Sequence, residues 1–169
     1  MFEKFGEFDS VEELNKRAEE LKKADDMEGL KGLAEENGLD PEDAEDYMTG
    51  CMEQFVSVLM AATGKLKVEE KDLQMDGILK DWAGAVAALC TEDERIAKAV
   101  RKKGKSLAEY TAKLIAFAFE SKVQVSEKIV KLTTVKNNGK DEPFRGPLYL
   151  GIPSAAKVKE LARKYYLEG

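Results

Sequence analysis

Apolar residues recur along this chain mostly three and four positions apart, the spacing that lines one face of a helix. Val11, Leu14, Ala18 and Leu21 keep that rhythm after Ser10-Val11-Glu12-Glu13. That opening is a capping-box pattern, in which the Ser oxygen and the Glu satisfy free backbone N–H groups. It predicts an amphipathic helix to about Ala24. Asp26 is placed to cap a second, short helix carrying Met27, Leu30, Leu33 and Ala34, which Asn37-Gly38 ends. Asp40-Pro41 opens a third, because proline at the first helical position forgoes an N–H that would have no partner there.

From Cys51 to Thr63 the texture turns apolar (FVSVLMAA), which predicts a central buried helix over 51–63. Gly64 and the Lys/Glu-rich stretch to Asp72 then read as a connector. Ile78, Leu79, Trp82, Val86 and Leu89 put one face of the next helix in the core, and a short helix at Glu92–Lys103 stops at Gly104. Ser106-Leu107-Ala108-Glu109 is a second capping box. It opens a helix over 107–121 with Leu107, Tyr110, Leu114, Ile115, Phe117 and Phe119. A break at Val123–Val125 leads to Ser126, a cap for a short helix over 127–132. Thr133-Thr134-Val135 and Leu148-Tyr149-Leu150 are β-prone and flank the polar run from Asn137 to Asp141, so a small hairpin is expected within 133–151. Pro153-Ser154 leads into a last helix with Ala155, Val158, Leu161, Ala162 and Tyr165 on one face.

The expected fold is therefore mainly α: one compact multi-helix domain over 1–169, of six to eight helices, with a small β-hairpin near the C-terminus. The stripe Phe2, Phe5, Phe8 is expected to tether the amino-terminal segment to the core. Of Tyr165-Tyr166, one ring is expected to pack and the other to stay wet.

Composition supports a packed core, with 43% hydrophobic and 36% charged residues among 169. The net charge of −6 conceals a division along the chain. Residues 1–50 carry −11, residues 51–94 carry −5, and residues 95–169 carry +10. An acidic helical subregion 1–50 thus precedes a basic helical and hairpin subregion 95–169, an asymmetry that points to charged partners.

Histidine is absent, which removes Ser-His-Asp and Cys-His catalysis, histidine proton shuttles and most transition-metal sites. Cys51 and Cys90 form no CxxC spacing and lie among apolar neighbours, so both are expected to be buried free thiols. Gly29, Gly32 and Gly38 fit no nucleotide fingerprint. No catalytic, cofactor-binding or metal-binding residue is assigned, and a binding protein is expected in place of an enzyme. MFEKFGEF lacks the basic and apolar regions of a secretory signal. No apolar run approaches the roughly 20 residues needed to cross a bilayer, so a cytoplasmic protein without a membrane partner is expected.

Two charged constellations remain. Glu35, Glu36, Asp40, Glu42, Asp43, Glu45 and Asp46 read first as a solvated helix start, where the dipole favours negative charge. So concentrated a set is also a candidate docking face for a basic protein groove, because it imitates a phosphate backbone. Its spacing is not that of a calcium loop. The second set, Arg95, Lys98, Arg101, Lys102, Lys103 and Lys105, reads as solvated surface or as phosphate contacts. Helix 107–121, a turn, helix 127–132 and the hairpin resemble a helix-turn-helix followed by a wing. Candidate nucleic-acid contacts are then Arg101, Lys102, Lys103, Lys105, Lys128, Lys131, Lys136, Lys140 and Arg145. The second helix is short and lacks the Asn, Gln and Arg residues common in base readout.

FEKFGEFDSVEELNKRAEELKK, LAEENGLDPEDAEDYMTG, VRKKGKSLAEYTAKL and the closing LGIP…YYLEG make the chain similar to small proteins of phages and bacterial mobile elements. Among these it resembles the anti-CRISPR proteins that inhibit type II-A Cas9. The likeness covers most of the chain as general texture, without a catalytic motif, and carries over no functional residues. It implies a stoichiometric, non-catalytic inhibitor that binds Cas9, the Cas9–guide RNA complex or its target DNA in the host cytoplasm and blocks DNA targeting. The acidic face would then occupy a basic nucleic-acid channel, and the basic half would hold DNA or RNA. The other expectation is a DNA-binding accessory or regulatory protein of a mobile element, using a winged-helix-like C-terminal half.

Overall fold

A computed structural model describes residues Phe2–Glu168. In chain order these form α1 (Val11–Lys23), α2 (Met27–Glu36), α3 (Pro41–Thr49), α4 (Val58–Asp72), α5 (Ile78–Glu92), α6 (Glu94–Arg101) and α7 (Leu107–Glu120). Then come β1 (Val123–Gln124), α8 (Glu127–Val130), β2 (Thr134–Asn137), β3 (Lys140–Pro143), β4 (Tyr149–Leu150) and α9 (Ala155–Arg163), which runs into a π-helical turn, Lys164–Glu168. The fold is mainly α, with two small antiparallel sheets near the C-terminus.

The helices begin where side chains satisfy their first N–H groups. Ser10 Oγ accepts from Glu13 N, Asp26 from Gly29 N, Ser57 from Met60 N, Ser106 from Glu109 N and Ser154 from Lys157 N. Asp40 and Asp43 form a reciprocal box at the start of α3. The apolar stripes of α1–α3 close on one another and on Phe55, Val56 and Ala61 as a first core. A second core gathers Leu66, Trp82, Val86, Leu89, Ile96, Val100, Leu107, Tyr110 and Leu114 from α4–α7 with Val158 and Ala162 of α9. Helix α4 serves both, with Ala61 turned to the first core and Ala62 and Leu66 to the second. Phe5 and Phe8 pack on the first core, so the amino-terminal stripe is the expected tether.

Several expectations are corrected. Residues 51–57 are not the start of the central helix. They run irregularly to Ser57, which caps α4, and the Asn15 amide holds Val56 by donating to its carbonyl and accepting from its N–H, both at 2.9 Å. Nor is 64–72 a connector, because α4 continues to Asp72. Gly64 is a packing position inside that helix: a Cβ there would lie 2.2 Å from the Asn37 carbonyl oxygen, so only glycine lets the end of α2 approach α4 so closely. Cys51 is exposed, since the chain turns outward at the end of α3. Cys90 is buried, and burial pushes its thiol up to about 11, an unreactive state. Tyr165 and Tyr166 are both buried: the π-helical turn folds the two rings, 4.8 Å apart, onto Tyr110.

The expected short helix 127–132 contracts to the single turn α8, whose Ser126 side chain makes no capping bond. The hairpin is real but tighter than its β-prone flanks suggested. β2 and β3 pair through Asn138-Gly139, both with positive φ (48° and 79°), as a two-residue hairpin turn requires. Tyr149-Leu150 joins a different ribbon, pairing with Val123-Gln124.

Adding a methyl group at Gly64 is expected to cost about 2 kcal/mol through overpacking against backbone. At Gly84, a helical position with nothing within 4 Å, alanine is expected to add about 0.5–1 kcal/mol. Urea unfolding of Gly64→Ala and Gly84→Ala, read against the parent chain, checks the opposite signs.

Candidate functional site

Two places carry chemistry that packing alone does not explain: a buried charged seat between the cores, and an exposed arm.

The seat is built around Lys65, whose side chain is 1% exposed. Its Nζ donates to Glu7 Oε1 (2.5 Å) and to the carbonyls of Lys102 (2.8 Å) and Lys105 (2.7 Å). One turn on, Glu69 lies 3.9 Å from the same ammonium and accepts from Leu107 N at 2.9 Å, capping α7 from a neighbouring helix. Arg101 is wholly buried beside them: its Nη2 donates to Asn37 Oδ1 (3.1 Å), and the rings of Phe2 and Phe8 lie 5.8 Å from its guanidinium. Its Nε and Nη1 have no hydrogen-bond partner among the described residues. Burial lowers the Arg101 pKa, opposed by Glu7 and Glu69. Burial likewise raises Glu69, to about 6, against the attraction of Lys65 and the Leu107 hydrogen bond. The seat joins the amino-terminal segment, α2, α4, α6 and α7. Its two cations face Glu7 and Glu69 and are not presented to solvent.

The arm is residues 121–153, between α7 and α9. Val130 and Pro153 are its only buried residues. The β1–β4 ribbon, extended by Val125 N to Leu148 O (2.8 Å), forms its base. Gly151 seats that base on the end of α7, where a Cβ would lie 1.8 Å from the Ala118 carbonyl oxygen. Beyond it, α8 and the β2–β3 hairpin stand exposed.

The predicted site residues disperse over this frame. Arg101 is corrected outright: Ala97 and Arg101 share one face of α6, and that face is buried, so its guanidinium cannot reach a phosphate. Lys105 is engaged as well, with Nζ donating to the Tyr165 carbonyl (2.9 Å). Lys102 and Lys103 are exposed in the loop before α7, while Lys128, Lys131, Lys136, Lys140 and Arg145 lie on the arm. In the hairpin register Lys136 stands opposite Asp141 and Lys140 opposite Asn137, and with Glu142 the two lysines are matched in number by two carboxylates. The β2–β3 hairpin carries no net charge, Arg145 lying beyond it, and the intended recognition helix is a single turn.

Within the acidic set, Glu36 accepts from Lys4 N (2.7 Å) and Phe5 N (2.9 Å), and Asp40 and Asp43 cap α3. Glu45 pairs with Lys31 at 2.7 Å. Glu35, Glu42 and Asp46 remain as solvent-facing carboxylates. Among the described residues, no group of three or more His, Cys, Asp or Glu could hold a metal ion, and no helix is long and apolar enough to cross a membrane.

Sequence reasoning missed the seat and the apolar surface of the arm. The i,i+4 pair Lys65/Glu69 and the i,i+4 pair Ala97/Arg101 were the available signals for the first. For the second, the signal was apolar residues on both sides of the helix from 107. No family model matches the chain, and neither the curated proteins nor the solved structures contain a match.

Because Glu69 titrates near 6 when folded and near 4.5 when unfolded, the folded state holds this proton more tightly. Its contribution to stability therefore rises as pH falls from about 6 to 4.5, by about 2 kcal/mol. Exposed carboxylates held low by cations, Glu92 by Lys159 and Asp93 by Arg95, act in the opposite direction. The difference in unfolding free energy between the parent chain and Glu69→Gln isolates the effect. It is expected to shift in favour of the parent chain between pH 7.5 and 4.5; a pH-independent difference contradicts it.

Proposed function

We propose that this protein is a non-catalytic inhibitor that binds a type II-A Cas9 effector and prevents it from engaging DNA. The observation that carries the binding reading is the arm: a segment of more than thirty residues held out from a twin-core helical body, with large apolar side chains in water. A surface of that kind marks an interaction site. The body supports the reading by holding the arm's two ends on α7 and α9, which pack together through Tyr110 and Val158. The target is suggested by the resemblance of the chain to the anti-CRISPR proteins.

Protein contact suits the surface better than the alternative, DNA binding through a winged helix. A one-turn helix and a charge-balanced hairpin offer little to a duplex, whose affinity comes from cations that displace counterions. The exposed Lys102 and Lys103 leave room for a secondary contact with guide or target strand.

Titrating the purified chain into a Cas9–guide RNA complex before adding target DNA is expected to abolish cleavage near one inhibitor per effector. The dose response should be the same for targets of unrelated sequence. Undiminished cleavage by several type II-A enzymes at tenfold excess overturns the proposal.

A further inference from the structure

Five large apolar side chains follow one another from the body into the arm. Ile115 and Phe119 are four apart on α7, and Val123 lies just beyond the helix end. Val123 stands opposite Leu150 in the β1–β4 register, and Ile152 follows two positions later, past Gly151 and the end of β4. All are exposed, Phe119, Val123 and Ile152 by more than 60%. The stretch they cross is tied down by the cross-strand pairing and by the seating of Gly151 on Ala118. The row is thus presented on a defined frame and is not a collapsed tail.

We propose that this row is the docking surface for a protein partner whose own face is apolar and flanked by carboxylates. The inference rests on the inhibitor reading above and names the surface that meets the target. Charge selects the partner. Residues 121–153 hold six Lys or Arg against three Asp or Glu. After the charges of the β2–β3 hairpin and the Lys131–Glu127 pair (3.9 Å) are set aside, Lys122, Lys128 and Arg145 remain exposed on the segment that carries the row. A second copy docking row to row would bring these cations together. A nucleic acid would gain little from the row, since four of its five side chains are aliphatic and bases stack on aromatic rings.

The test uses the full chain and the Cas9–guide RNA complex as probe. Phe119→Ser and Ile152→Ser change only exposed side chains, so each should unfold at the parent temperature. Each is expected to weaken binding about tenfold or more. The double charge reversal Lys122→Glu/Lys128→Glu should also weaken binding and flatten its salt dependence, and Glu42→Lys/Asp46→Lys on the acidic face should leave it unchanged. If the row variants bind as the parent does while the acidic-face variant fails, the docking surface is wrong and the inhibitor reading stands. If the parent chain binds neither Cas9 nor its guide complex, the inhibitor reading falls and this inference with it. Binding to a 20-base-pair duplex, to phosphatidylserine vesicles or to itself that is lost in Phe119→Ser overturns the partner class.

Discussion

The structure depends on the burial of one ammonium group. Lys65 is enclosed at the meeting of two hydrophobic cores, and a charge taken out of water costs several kcal/mol unless it is fully paired. Its partners come from distant parts of the chain: a carboxylate from the amino-terminal segment and two carbonyls from the loop before α7. Glu69 then reaches from the same helix to cap α7. Each of these contacts joins α4 to a different part of the chain, so the set is complete only when α4, α6, α7 and the amino-terminal segment are in place together. The seat therefore makes the two cores one body, and removing a single partner would strand a buried charge.

That body determines what the arm can do. Helices α7 and α9 are fixed to each other by the tyrosine cluster and by Tyr110 bonded to Val158. The arm leaves from one and returns to the other, so its base cannot wander, and Gly151 sets its seating on α7. A segment held at both ends loses less freedom on binding than a free tail, which is how preorganisation raises affinity. The charged residues that drew attention in the sequence serve mostly inside this architecture: Arg101 in the seat, Glu36 on the amino-terminal segment, Asp40 and Asp43 at the start of a helix.

Much of the fold was legible because caps and periodicity are local. Ser10, Asp26, Asp40-Pro41 and Ser106 each announced a helix that is present, and the polar run Asn137–Asp141 announced a hairpin, though not which strands pair. The centre was not legible, because there the local rules yield to packing. Gly64 reads as a breaker and Lys65, Lys67, Glu69 and Glu70 as solvent-facing, yet a neighbouring backbone requires the glycine and the seat requires the lysine. Arg101 was assigned to the surface on its charge, although its i,i+4 relation to Ala97 placed it on the buried face. The apolar row escaped notice because hydrophobic residues in a helix pattern are first assigned to a core. Only the fold reveals that Ile115 and Phe119 face away from it.

Amide hydrogen exchange, comparing the free chain with the chain bound to a Cas9–guide RNA complex, tests most directly the claim that a stiff body presents the arm to a protein target. Slowed exchange across residues 115–152, with α1–α3 and the Lys65 seat unchanged, is the predicted result. Protection confined to residues 35–46, or no change on mixing, would contradict it.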